Sequence, residues 1–153
     1  MKYFTTDLLD KINNQSLEHE RKKYEDIWRE NIKLYWEEFK KISKQLPQEF
    51  VGLFQGGHLH DATIEEILFK KRALTSRNEF EVILRLTGEL FSGELIHSGV
   101  ITYNTSLYEL DVPIGFEYLY GEILFSDGFW THNFLLFNGS EVEIKCKKIK
   151  WRS

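Results

Sequence analysis

Seven apolar residues, Tyr24, Trp28, Ile32, Tyr35, Phe39, Ile42 and Leu46, recur at spacings of four, four, three, four, three and four before Pro47 ends the pattern. Spacings of three and four bring side chains onto one face of an α-helix, so the stretch predicts one long helix with a single apolar stripe to bury. Proline lacks the N–H that the helical ladder needs and pushes the preceding residue out of the helical region, which sets the stop. The stripe spans only about three heptads and is built from bulky aromatics where dimeric coiled coils use Leu, Ile and Val. The helix is therefore expected to pack across a sheet of its own chain.

That sheet is read from the residues after Gly56-Gly57, where the apolar period shifts toward two. Ala62, Ile64 and Leu68 alternate with Thr63, Glu65 and Ile67, a mixed pattern suited to a strand with partial cover on both faces. Thr75-Ser76-Arg77-Asn78 reads as a turn, and Phe80, Val82, Leu84 and Leu86 then alternate with Glu79, Glu81 and Arg85 as a strand with one wet face. A further strand is expected around Ile96 to Tyr103. Phe116 to Phe125, Phe129 to Phe137 and Glu141 to Trp151 are joined by Ser126-Asp127-Gly128 and Asn138-Gly139-Ser140, whose Asp-Gly and Asn-Gly steps favour tight hairpins and so predict a three-stranded meander.

Before the long helix, Thr6 or Asp7 is expected to cap a short helix over Leu8, Leu9 and Ile12, and Ser16 to cap the long one. Glu49 to Phe54 is expected to add a single turn. The expectation is an α+β fold in one domain over residues 1–153, helical over 1–47 and stranded over 58–152. Its long N-terminal helix packs on a strongly curved, mainly antiparallel sheet of roughly five to seven strands.

With 42% hydrophobic and 29% charged residues, the chain has the apolar content that disordered sequences lack and the charge that membrane-embedded ones lack. No segment approaches the roughly 18 consecutive apolar residues needed to span a bilayer, and Lys2 is followed by no apolar leader. Cys146 is the one cysteine, which excludes an intramolecular disulfide and fits a reducing, cytoplasmic location.

Gly56-Gly57-His58-Leu59-His60-Asp61-Ala62 holds two of the five histidines, a carboxylate and two glycines. His58 and His60 on a strand would point the same way, with Asp61 and either His97 or His132 completing a ligand set. Metal signatures gain their specificity from paired motifs, and only one half is present here, so no metal or cofactor is expected, and a metal-dependent or small-ligand-binding protein centred on His58, His60 and Asp61 is the alternative to a protein-binding role. The binding candidates are His58, His60, Asp61 and His132. The competing structural role has the glycines making a bend while Asp61 or a histidine ties down backbone groups left unpaired there.

Catalysis is not expected. Cys146 sits in a Val142-Ile144-Cys146 alternation, as a small buried hydrophobe does, and no Gly-x-Ser-x-Gly, phosphate loop, dinucleotide fingerprint or Cys-x-x-Cys is present. Lys145, Lys147, Lys148, Lys150 and Arg152 with Trp151 form a basic strand that could hold phosphates. Residues 48–139, however, carry five Lys/Arg against thirteen Asp/Glu, a field that repels a polyanion, so nucleic acid is disfavoured. The same imbalance, through Glu89, Glu94, Glu109, Asp111, Glu117 and Glu122, suits a basic protein partner.

Ile42-Ser43-Lys44-Gln45-Leu46-Pro47 followed by Leu59, His60, Asp61 and Ile64 resembles small bacterial proteins in which a helix ending in Leu-Pro precedes a hydrophobic-His-Asp-x-x-Ile strand start. Some proteins of that kind resemble immunity proteins, which neutralise a toxin by binding it. The resemblance covers about residues 40–70 and implies noncatalytic association with another protein, with no catalytic residues carried over.

Overall fold

The computed structural model describes residues 1–74, 77–106 and 116–153, with backbone alone for Gln15, Leu17, Glu18, Arg72 to Leu74, Arg77, Asn78 and Phe116. The long helix forms as α2, Arg21–Ile42, preceded by α1, Thr6–Asn13, and followed by α3, Gln48–Gln55. Along the stripe, Tyr24, Trp28 and Ile32 are half-buried while Tyr35, Phe39 and Leu46 are buried, so the helix sinks into the protein toward its C-terminal end.

The caps differ from expectation in detail. Thr5 caps α1, its hydroxyl accepting from the Leu8 N–H at 3.3 Å. Ser16 does not cap α2: it lies in a 3-10 helix, Gln15–Glu20, where its N–H and hydroxyl both donate to Asn14 Oδ1. An Asn side chain can satisfy the backbone two residues on, and here that local turn replaces the cap. The expected single turn after Pro47 is two turns long and buries Phe50, Val51 and Phe54. No helix among the described residues is long and apolar enough to cross a membrane.

The sheet has eight strands in the order β4-β7-β6-β5-β1-β2-β3-β8, every pairing antiparallel. They are β1 Ala62–Leu74, β2 Arg77–Gly88, β3 Phe91–Ser98, β4 Thr102–Thr105, β5 Phe116–Ser126, β6 Phe129–Leu136, β7 Glu141–Cys146 and β8 Lys148–Arg152. Two departures raise the count above expectation. The run from Ile96 to Tyr103 is divided where Gly99 takes φ +65°, separating β3 from β4. The run from Glu141 to Trp151 is divided at Lys147, whose N–H turns to the Ser98 and Gly99 carbonyls. Arg77 and Asn78, read as part of a turn, already belong to β2 opposite Leu74 and Ala73; Thr75 and Ser76 lie outside the described residues.

The break at Lys147 gives the sheet its shape. With one residue between them, β7 pairs with β4 and β6 while β8 pairs with β3. The chain thus joins the two ends of the sheet and coils it into a trough without closing it. Alternate residues fill the inside: Val82 lies opposite His97, Leu84 opposite Leu95, Phe134 opposite Val142 and His132 opposite Ile144, all buried.

β1 follows β5 only from Ala62 to Ile64, so β5 beyond Tyr118 has lost its strand partner on that side. The helices take its place. The Tyr35 hydroxyl accepts from the Ile123 N–H at 2.9 Å, and Trp28 and Phe4 pack on Tyr120. Supplying a side-chain acceptor to a buried strand amide avoids the cost of leaving it unpaired.

Candidate functional site

The His58-to-Asp61 segment is not a strand. α3 ends in a Schellman motif: Gly57 takes φ +73°, the His58 N–H donates to Leu53 O at 3.0 Å and the Gly57 N–H to Phe54 O. A second tight turn follows, in which Asp61 has φ +65° and its N–H donates to Tyr118 O at 2.9 Å. Asp61 therefore pins the turn to β5 through its own backbone N–H, while its carboxylate, which the sequence reading offered for tying down backbone groups, lies against His60 instead.

Because the two histidines sit in successive turns, they serve different neighbours. The His58 ring lies back over Gly56, where an added Cβ would fall 2.7 Å from a ring carbon. His60 places Nδ1 2.8 Å from the Asp61 carboxylate and its ring 5.2 Å from that of Tyr120, at 72°. Leu59 between them is buried, while both imidazoles are exposed. The strand geometry that would have aimed His58 and His60 together is absent.

His132 does not join this cluster. It is fully buried inside the trough, with Nδ1 2.9 Å from His97 Nε2 and Nε2 3.1 Å from the Tyr118 hydroxyl. His97 Nδ1 lies 3.3 Å from Val82 O. A carbonyl only accepts, so His97 Nδ1 carries the proton and Nε2 accepts from His132 Nδ1–H. His132 Nε2 then accepts from Tyr118 O–H, and every polar atom in the row is satisfied with both rings neutral. Burial lowers the His97 pKa to about 4, and burial together with the neighbouring His97 holds His132 well below the usual range. Among the described residues no group of three His, Cys, Asp or Glu could hold a metal ion.

Other expected positions resolve plainly. Cys146 is buried, and its thiol pKa is pushed up to about 12, which keeps it out of thiolate chemistry. Glu122, read as part of an acidic surface, is fully buried, and its carboxylate accepts the N–H groups of Lys2, Tyr3 and Phe4 at 2.8, 2.6 and 2.6 Å. Glu94 pairs with Arg85 and Arg152, and Lys147 of the basic strand with Glu79. Glu109 and Asp111 lie outside the described residues.

The feature the sequence reading missed is a cleft of about 200 Å³ where α2 crosses the unpaired stretch of β5. Trp28, Ile32 and Trp36 line it from the helix, Tyr120 and Gly121 from the strand, Phe4 and Phe54 from beside them, and His60 from the turn. Trp28, Ile32, Trp36 and Tyr120 are half-buried. The signal was present: Trp28, Ile32 and Trp36 stand at i, i+4 and i+8, a row beside the buried Tyr35 and Phe39. Burial first and then the Asp61 carboxylate push the Tyr120 phenol up, so the charge of Asp61 is felt at the cleft wall.

Fold and site together define a small α+β protein with an aromatic cleft between helix and sheet and a His-Asp pair at its rim. No protein-family model matches the chain, and neither does any curated protein.

Proposed function

We propose that this is a noncatalytic binding protein whose ligand places a compact, largely apolar group in the cleft between α2 and β5. The supporting observation is the coincidence of half-buried Trp28, Trp36 and Tyr120 with His60 at one opening. Ligand sites are concave and mostly apolar with a few polar groups to orient the occupant, and this cleft has that composition. At about 200 Å³ it falls below the roughly 300–1,000 Å³ of drug-sized pockets, which restricts the occupant to a small group. The buried thiol and the sealed histidine pair speak for binding over turnover.

The test is tryptophan fluorescence and thermal shift with phenol, 3,3-dimethylbutan-1-ol and choline as probes. A saturable response to at least one is expected, abolished by Ile32→Trp, which fills the cleft from its own wall. No saturable response to any probe, or an unchanged one in that variant, overturns the reading.

A protein partner, the role the immunity-protein resemblance implies, is a second proposal. It is supported by Phe69 and Phe80, both exposed on the β1–β2 hairpin, with Tyr103 edge-on to Phe69 at 4.9 Å. If a gene for a basic toxin adjoins this one, its product should form a complex that Phe69→Ser weakens; no complex at micromolar concentration would dispose of the idea.

A further inference from the structure

Three ring pairs in the cleft wall stand at steep angles, while Phe4 lies at 31° to Tyr120 and 52° to Trp28. Tyr120 stands at 72° to Trp28, centroids 5.0 Å apart, and again at 72° to His60 at 5.2 Å; Trp36 stands at 68° to Phe54 at 5.8 Å. Aromatic faces carry the negative part of the ring quadrupole, and rings meeting near right angles around a small space form the arrangement that holds a compact cation by cation–π attraction. A neutral apolar group would gain only from burial.

Charge points the same way. Among the described residues lining the cleft none is Lys or Arg, and Asp61 stands beside the His60 rim. A bare ammonium would arrive strongly hydrated and find few acceptors, whereas a methylated one is weakly hydrated and apolar on its outside. A carboxylate on the ligand would meet Asp61 unfavourably, which disfavours zwitterions. His60 commits Nδ1 to Asp61, leaving Nε2 for a ligand hydroxyl, which can donate or accept.

We propose that the cleft binds a small free quaternary ammonium alcohol of the choline type, its methylated head among Trp28, Trp36 and Tyr120 and its hydroxyl toward His60. This rests on the cleft being a ligand site and names the ligand's chemistry.

Calorimetric titration of the full chain with choline and with its neutral isostere 3,3-dimethylbutan-1-ol is the experiment. Choline is expected to bind at least tenfold more tightly. Asp61→Asn, tolerated because Asn adopts positive φ readily, should weaken choline severalfold and leave the isostere unchanged; Trp28→Leu, which keeps apolar bulk but removes the π face, should narrow the preference. Equal affinity for the two probes overturns the cation assignment while leaving a ligand cleft standing. Binding of neither overturns the cation assignment, and if phenol also fails to bind a chain with native circular dichroism, the ligand-cleft reading falls with it. Binding of a trimethyllysine peptide but not of choline overturns the assignment to a free small molecule.

Discussion

His132 Nδ1 and His97 Nε2 stand 2.9 Å apart inside the trough, joining β6 to β3, strands that are not neighbours in the sheet. The contact spans the hollow that coiling creates, and with Tyr118 and Val82 O it forms one directed row of hydrogen bonds. Burial opposes the first charge on either ring, and protonating both would set two N–H groups face to face between Nδ1 and Nε2, so the row is sensitive to acid.

Stability should therefore fall on mild acidification. Both histidines have folded-state pKa values below the usual 6.5, about 4 for His97, so between those values the unfolded chain binds protons that the folded chain refuses. The contribution is complete above pH 6.5 and is lost as pH drops toward 4. From pH 7.5 to 5.5 the loss should be about 1 kcal/mol for His97, with a further loss of the same sign from His132. Urea midpoints across that range measure it, and a flat profile would show that the histidines are not shielded.

Gly121 is held small by Tyr118, because a Cβ there would fall on the Tyr118 hydroxyl. Gly121→Ala should displace the phenol from His132 and cost about 2–4 kcal/mol, combining overpacking with a broken buried hydrogen bond. In a Tyr118→Phe background the same change should cost about 1 kcal/mol less, since part of the interaction is already gone. Chemical denaturation of the four variants tests this, and additive effects would refute the coupling.

The buried Glu122 carboxylate holds three consecutive backbone N–H groups, those of Lys2, Tyr3 and Phe4, 118–120 positions away in the chain. Glu122→Gln keeps the shape but turns one acceptor into a donor facing those amides, at a cost of about 2–3 kcal/mol. Hydrogen exchange should report it locally, with Tyr3 and Phe4 losing protection while the β6 amides keep theirs.

Gly57 has space around it but φ +73°, so any substitution there is opposed by the backbone alone. Gly57→Ala should cost about 1–2 kcal/mol and Gly57→Asn distinctly less, because Asn tolerates the left-handed region. Equal penalties would mean that crowding, and not conformation, is decisive.

The stripe from Tyr24 to Leu46 and the stop at Pro47 were readable because helix period and helix termination are local properties. So were the hairpins: Asp127 and Gly128 both take positive φ, as a tight turn matched to strand twist requires. The division at Lys147 left a local mark that is easily passed over: Val142, Ile144 and Cys146 are apolar on even positions and Ile149 and Trp151 on odd ones, so the period of two slips by one residue at Lys147-Lys148. Which strands the two halves then join is not a local property. The His58-to-Asp61 segment was legible as a bend and misleading as a strand, because four residues are too few to establish a period of two.

The sequence by itself determined which segments are helix or strand, where most of them end, and which faces are apolar. Tertiary structure alone decided which side chains meet. Glu122 with Tyr3, His97 with His132, and Trp28 with Tyr120 are each brought together by the coil of the sheet and by the helix that replaces β1 along β5. The physical reason is that periodicity encodes how much surface each element must bury, whereas the partner it is buried against depends on how the whole chain closes upon itself.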